Sequence, residues 1–159
     1  THCESSAASD VYKRQEVYNP MSAYNSAINK LEKNGIRATK QRRVLAKLIF
    51  DKGKRHISAE NLFDEVKEDE RKISMATIYN TLKQFTSLGL IREIVVDQNK
   101  SLYCNNNQSH YHLYIEDEGK VIDIPTKNID LDIPSIPACL KLHDIDVIVR
   151  IRTLKDKNN

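Results

Sequence analysis

The sequence predicts an α+β protein in which a helical domain closed by a β-hairpin precedes a smaller α/β unit. Three observations carry this. Apolar residues recur at helical spacing from Ala27 to Phe85, the period changes to that of a strand after Gly89, and charge separates along the chain. Residues 21–104 hold 16 Lys and Arg against 10 Asp and Glu, net +6, whereas residues 105–159 hold 7 against 9, net −2. A basic first half suits a polyanionic partner, although a solvated cationic face would look the same.

The first residues stand apart. Residues 5–15, SSAASDVYKRQ, have neither helical nor strand period. They are what a transposon-type sequencing adaptor encodes when read in frame. Residues 1–20 are therefore expected to be read-through and translated upstream sequence, disordered, with the natural start at Met21.

Four helices follow. Ala27, Ile28 and Leu31 share a face, and Gly35 stops that helix. Thr39 stands as N-cap before KQRRVLAKLIF, whose Val44, Leu45, Leu48 and Ile49 form one stripe. A third helix starts after Ser58, with Glu60 near the capping-box position and Leu62, Phe63 and Val66 turned inward. Ser74 caps a fourth, in which Ile78, Leu82 and Phe85 pack and which ends at Gly89. Then come LIREIVV, the turn DQNK and SLYC, a hairpin. Helices followed directly by a hairpin are the order of a winged-helix DNA-binding domain, here 21–104, whose last helix would enter the major groove of double-stranded DNA.

Residues 105–109, NNNQS, read as a polar hinge. Beyond them HYHLYIED and GKVIDI form a hairpin, and DIDVIVRIR a last strand. Residues 105–159 offer little core for an independent unit. They are expected to be a dimerisation and metal-sensing domain that buries surface against a second copy, giving a homodimer.

Other classes are disfavoured. The longest apolar run, 145–151, is interrupted by Asp146 and Arg150 and is far shorter than the roughly 20 residues of a membrane span, and no secretory signal begins the chain. No membrane partner and a cytoplasmic location are expected. Cys3, Cys104 and Cys139 show no paired spacing, so neither a disulfide framework nor a Cys-x-x-Cys zinc site is written here.

Two groups of residues carry chemistry. On the fourth helix Ser74, Ala76 and Thr77 keep the first turn small enough for backbone amides to approach phosphate, and Tyr79 and Asn80 lie off the apolar stripe. Asn can pair with adenine, and Tyr can touch phosphate or a thymine methyl. Arg37, Lys40, Arg42 and Arg43 are candidate phosphate contacts. In the second group, His110 and His112 are two apart on a strand and so share a face, from which they can bind one divalent metal. His56 and Cys104 are the candidates for further ligands, and a thiolate would favour zinc or haem iron over a hard cation. Two alternatives remain: a metal-independent regulator controlled by its own turnover, and a small metalloenzyme using the His-x-His pair. Against the latter, no general base accompanies the two histidines in obvious register.

Taken together, GIRATKQRR at 35–43, HISAENLF at 56–63, ATIYNTLKQF at 76–85, GLIRE at 89–93 and HYHLYIEDEGKVIDI at 110–124 resemble the ferric uptake regulator family of bacterial metal-dependent repressors. The run GKVIDIP and the closing DIDVIVRIR look like its iron-response regulator subgroup, which controls haem synthesis and iron genes. The resemblance implies a homodimeric repressor on a palindromic, AT-rich operator, with Tyr79 at the family's DNA-contacting tyrosine and Asn80 where many members have arginine. It places the regulatory ion, Zn, Fe or Mn, on His56, His110 and His112, with Cys104 where a carboxylate is usual. Ile115 and Glu118 occupy the positions of the family's zinc-binding Cys-x-x-Cys pair, so no four-cysteine structural zinc is expected. Tyr111 interrupts the three histidines that the subgroup is thought to use for haem, and Leu140 follows Cys139, so the Cys-Pro haem motif is absent. Haem stays as an alternative ligand because tyrosine can hold haem iron.

Overall fold

The structure, a computed structural model, describes residues 19–68, 72–98 and 100–153. The expected read-through lies outside the described residues except for Asn19 and Pro20. Those two take part in the first helix, α1 (Pro20–Lys33): Pro20 occupies its first turn, and the Asn19 side chain accepts a hydrogen bond from the Ser22 amide.

The helices form where the pattern places them. Thr39 caps α2 (Lys40–Phe50) and Ser74 caps α4 (Met75–Ser87), each side chain accepting from the amide three residues on. Gly35 and Gly89, with φ of 71° and 62°, supply the left-handed turns that end α1 and α4. In α3 (Ala59–Glu68) the Ser58 hydroxyl accepts from the Asn61 amide at 3.0 Å, so the reciprocal position belongs to Asn61 and not to Glu60. Leu31, Leu45, Leu62, Ile78, Leu82 and Phe85 are fully buried in one cluster that all four helices share. Burying each such side chain contributes about 1.5–3 kcal/mol.

Strands β2 (Arg92–Asp97) and β3 (Lys100–Cys104) form the hairpin. A two-residue strand, β1 (His56–Ile57), adds to the other edge of β3, giving the order β1-β3-β2 and completing a winged helix. The second sheet has the order β5-β4-β6, from β4 (His110–Ile115), β5 (Lys120–Pro125) and β6 (Ile148–Ile151). β4 and β5 are antiparallel, while β6 runs parallel to β4 and occupies only part of the strand expected over 144–152. The stretch joining β5 to β6 has one short 3-10 turn at Thr126–Asn128 and is otherwise irregular.

The two sheets share a second cluster. Ile94, Val96, Leu102 and Cys104 of the hairpin pack with Tyr114 and Val121, and Ile148 lies against them. The inner face of the hairpin thus becomes the floor on which the second sheet rests. No helix among the described residues is long and apolar enough to cross a membrane.

Candidate metal centre and nucleic-acid interface

The seam between the two sheets brings five side chains to one point. The pairing of β1 with β3 sets His56 directly opposite Cys104. Alternation along β4 turns His110 and His112 to the same inner face, and both are almost wholly buried. The β4–β5 register places Asp123 opposite His112. One ligand atom from each of His56, Cys104, His110, His112 and Asp123 lies within 4.8 Å of every other.

The four residues singled out from sequence therefore meet, and Asp123 joins them. Its signal lies in the hairpin register: the chain turns about residues 116–119, so counting back equally along both arms sets residue 123 across from 112.

The distances describe a convergent set. Asp123 Oδ1 stands 2.9 Å from His56 Nε2, 3.4 Å from His110 Nε2 and 3.9 Å from His112 Nε2. His110 Nε2 is 2.9 Å from His112 Nε2 and 3.4 Å from Cys104 Sγ. His56 Nε2 and Asp123 Oδ1, although close, are not aligned for a hydrogen bond, and both are buried polar atoms without one. Two orphaned atoms facing a common centre are what an ion would satisfy. Donors held about 2.0–2.3 Å from one zinc-like ion stand roughly 3–4 Å apart, close to what is seen.

The protonation states suit a ligand set. Burial, helped by the neighbouring His110 and His56, pushes the His112 pKa down to about 4, which leaves a neutral imidazole with a free lone pair. His110 Nδ1 is 2.6 Å from the Gln108 carbonyl, an acceptor only, so that nitrogen carries the proton and Nε2 remains to bind. At Asp123 burial acts upward, but the contacts from His56, Asn106 and His110 outweigh it and hold the carboxyl at about 2. Burial pushes the Cys104 thiol up to about 11, with the Asn106 amide acting the other way. A cation bound there would displace the thiol proton to solvent, which would couple metal uptake to proton release.

The residues expected to touch DNA occupy another face. Tyr79 and Asn80 are exposed on α4, Tyr79 47% so. The Tyr79 hydroxyl donates to Glu60 on α3. Ser74 is committed to capping, and its hydroxyl lies 2.9 Å from that of Thr77. Arg37 and Lys40 are exposed with no side-chain partner observed among the described residues. Arg42 donates from Nε to Gln84 on α4 and from Nη1 to the Arg37 carbonyl. Arg43 pairs with Glu32 on α1. Arg42 and Arg43 thus tie helices together, a role the charge pattern alone does not reveal.

Set beside known proteins, residues 33–150 match the model of the ferric uptake regulator family. The peroxide-responsive repressor PerR of Staphylococcus saprophyticus is 31% identical over 104 residues, 65% of this chain and 70% of that protein. A structure of the ferric uptake regulator from Pseudomonas aeruginosa with manganese superposes with a TM-score of 0.60 at 22% identity, over 80% of this chain and 97% of the other. A zinc-bound manganese uptake regulator does so with a TM-score of 0.59 at 27% identity, over 80% and 98%.

Proposed function

Because the chain belongs to the ferric uptake regulator family, we propose that it is a cytoplasmic metal-responsive transcriptional repressor that binds double-stranded DNA as a homodimer. Residues 21–104 form its DNA-reading part and residues 105–159 its sensing and pairing part. The observation that carries this is the five-donor cluster, because it takes His56 and Cys104 from the first part and His110, His112 and Asp123 from the second. An ion held by both would fix the angle between them, and so decide whether two reading helices match one operator. The family relatives named for zinc, manganese or a peroxide response fit such a sensor.

One divalent ion per subunit suits the site, and a buried thiol among the ligands favours zinc or iron over manganese. Haem suits it less, because His110 and His112 are almost wholly buried, 5% and 2% exposed. Control of iron and haem genes from an AT-rich palindrome is the physiological role we attach to it, supported by the likeness of residues 119–125 and 144–152 to the iron-response regulator subgroup. Pairing is supported by Ile122, Ile133, Ile136, Leu140 and Leu142, apolar residues exposed on the second part. On the DNA side we assign Tyr79 and Asn80 to bases, and Arg37, Lys40 and the Ser74–Thr77 turn to phosphate, with Arg42 and Arg43 at the edge of that surface.

The test uses DNA selected by the protein itself from a random pool. Binding should strengthen on adding Zn²⁺ or Fe²⁺, and replacing both His110 and His112 by Ala should abolish that response. A double variant that responds like the wild type would overturn the proposal.

A further inference from the structure

The polar loop 105–109 has the composition of a hinge, yet the side chains of Asn105, Asn106 and Gln108 are spent on fixed contacts. Asn105 is buried: its Nδ2 donates to the carbonyls of Ile49 and Gly53 at 2.7 and 2.8 Å, and its Oδ1 accepts from the Arg55 amide at 2.7 Å. The loop is thereby pinned to the end of α2. The next residue, Asn106, is 8% exposed and faces the metal centre. Its backbone N–H donates to Cys104 Sγ at 3.3 Å, and its Nδ2 donates to Asp123 Oδ2 at 2.6 Å. Its Oδ1 accepts from the Gln108 amide at 3.2 Å. These partners leave one orientation for the amide, since a flip would set oxygen against carboxylate and N–H against N–H.

We propose that Asn106 is the positioning residue of the metal centre, holding Asp123 by one oxygen so that the other is presented to the ion. This rests on the metal-binding reading above. A carboxylate free to rotate could turn either oxygen toward His56 or out of the cluster. With Oδ2 engaged, Oδ1 is left 2.9 to 3.9 Å from the three ring nitrogens. The same residue's backbone N–H points at the sulfur, where it stabilises the negative charge that a thiolate ligand carries. Gln108 completes the arrangement by holding His110 through its carbonyl. Three ligands of the centre are therefore oriented from one short loop, and partners of this kind typically govern metal affinity by about 10–100-fold.

Full-length wild type, Asn106→Ala, the isosteric Asn106→Asp, Asp123→Asn and the Asn106→Ala/Asp123→Asn double variant would be titrated with Co²⁺, followed by its ligand-field and thiolate charge-transfer absorption, and then with competing Zn²⁺. Asn107→Ala, at an exposed neighbour, is the control, and circular dichroism melts report folding. Both Asn106 variants should lose about 10–100-fold in Zn²⁺ affinity with altered ligand-field bands. With Asp123→Asn already present, Asn106→Ala should cost less than about 2-fold more, the limit of simple additivity. If Asn106→Asp, which preserves the side-chain shape, binds and absorbs as the wild type does, the inference fails. It fails too if the Asn106→Ala loss is undiminished beside Asp123→Asn. A wild type that takes up neither ion removes the metal reading, and this inference with it; wild-type uptake with unaffected Asn106 variants removes this inference alone.

Discussion

The hydroxyl of Tyr79 on α4 donates to the carboxylate of Glu60 on α3 across 2.8 Å, so the exposed aromatic of α4 is tethered to the helix beside it. Glu60 is held below the usual carboxylate range by its own backbone N–H and then by this phenol, while the phenol is raised in turn. With its proton committed, Tyr79 can offer DNA only its ring and the remaining lone pairs of its oxygen. Tyr79→Phe should therefore change stability by less than about 1 kcal/mol, since both partners are solvated. Tyr79→Ala removes the ring and should weaken binding to selected DNA by about 1–3 kcal/mol, with little effect on unselected sequence. Fluorescence anisotropy on both DNAs separates the two, and equal losses for Phe and Ala would mean that the hydroxyl, not the ring, makes the contact.

The four basic residues near α2 divide by what they already hold. Arg37 and Lys40 are exposed, and Ala at either should lower the slope of log K against log salt by about 1 while leaving the melting temperature unchanged. Arg42 bridges to Gln84 at 2.8 Å, so Arg42→Ala should also destabilise by about 0.5–1.5 kcal/mol. Arg43 pairs with Glu32 where both are about half exposed, and that ion pair contributes at most about 1 kcal/mol. Salt-dependent titrations combined with thermal melts distinguish contact from brace.

Metal-free protein should lose stability on mild acidification. In the unfolded chain His112 takes up a proton near its ordinary value of 6.5, whereas in the fold burial delays this to about 4. Between those values the unfolded state binds more protons, so stability is complete above about pH 6.5 and falls as pH drops toward 4. The shift corresponds to at most about 3 kcal/mol. Asp123, depressed to about 2 from 3.8, adds a loss only below pH 4. Urea midpoints between pH 7 and 4.5 measure the slope, and His112→Gln should flatten it; a slope identical in the variant would assign the effect to other groups.

Much of this arrangement was legible in the sequence because it is periodic. Ile78, Leu82 and Phe85 declare a buried helix face by spacing alone, and all three are wholly inside. His110 and His112 declare a shared strand face in the same way. What escaped is set by pairing between segments. The two residues of β1 have no detectable period, yet their pairing with β3 is what carries His56 to Cys104. Asp123 required the hairpin register, and the parallel docking of β6 on β4 joins residues more than thirty apart. The polar run at 105–109 has hinge composition, and only its partners, Ile49, Gly53, Cys104 and Asp123, show that it is fixed.

Communication between the two parts should depend on Arg150 more than on the charged pairs around it. From β6 its guanidinium donates to the Val96 carbonyl in β2 and lies 5.8 Å over the Tyr114 ring, so it ties the second sheet to the hairpin floor through a main-chain group. Nearby, Arg92 reaches Asp144 and Asp146 at 3.5 and 3.4 Å, but both carboxylates are more than half exposed, and pairs of that kind contribute about 0–1 kcal/mol. Arg150→Ala should thus speed hydrogen exchange in β6 and lower ion affinity, because His110, His112 and Asp123 would no longer be held against His56 and Cys104. The helical cluster, which is separate from the cluster that β6 packs against, should keep its protection. Joint replacement of Asp144 and Asp146 by Asn should produce a much smaller change in both readouts. If the acidic pair proves the more sensitive, the joint is electrostatic, and raising the salt concentration should reproduce its loss in the wild type.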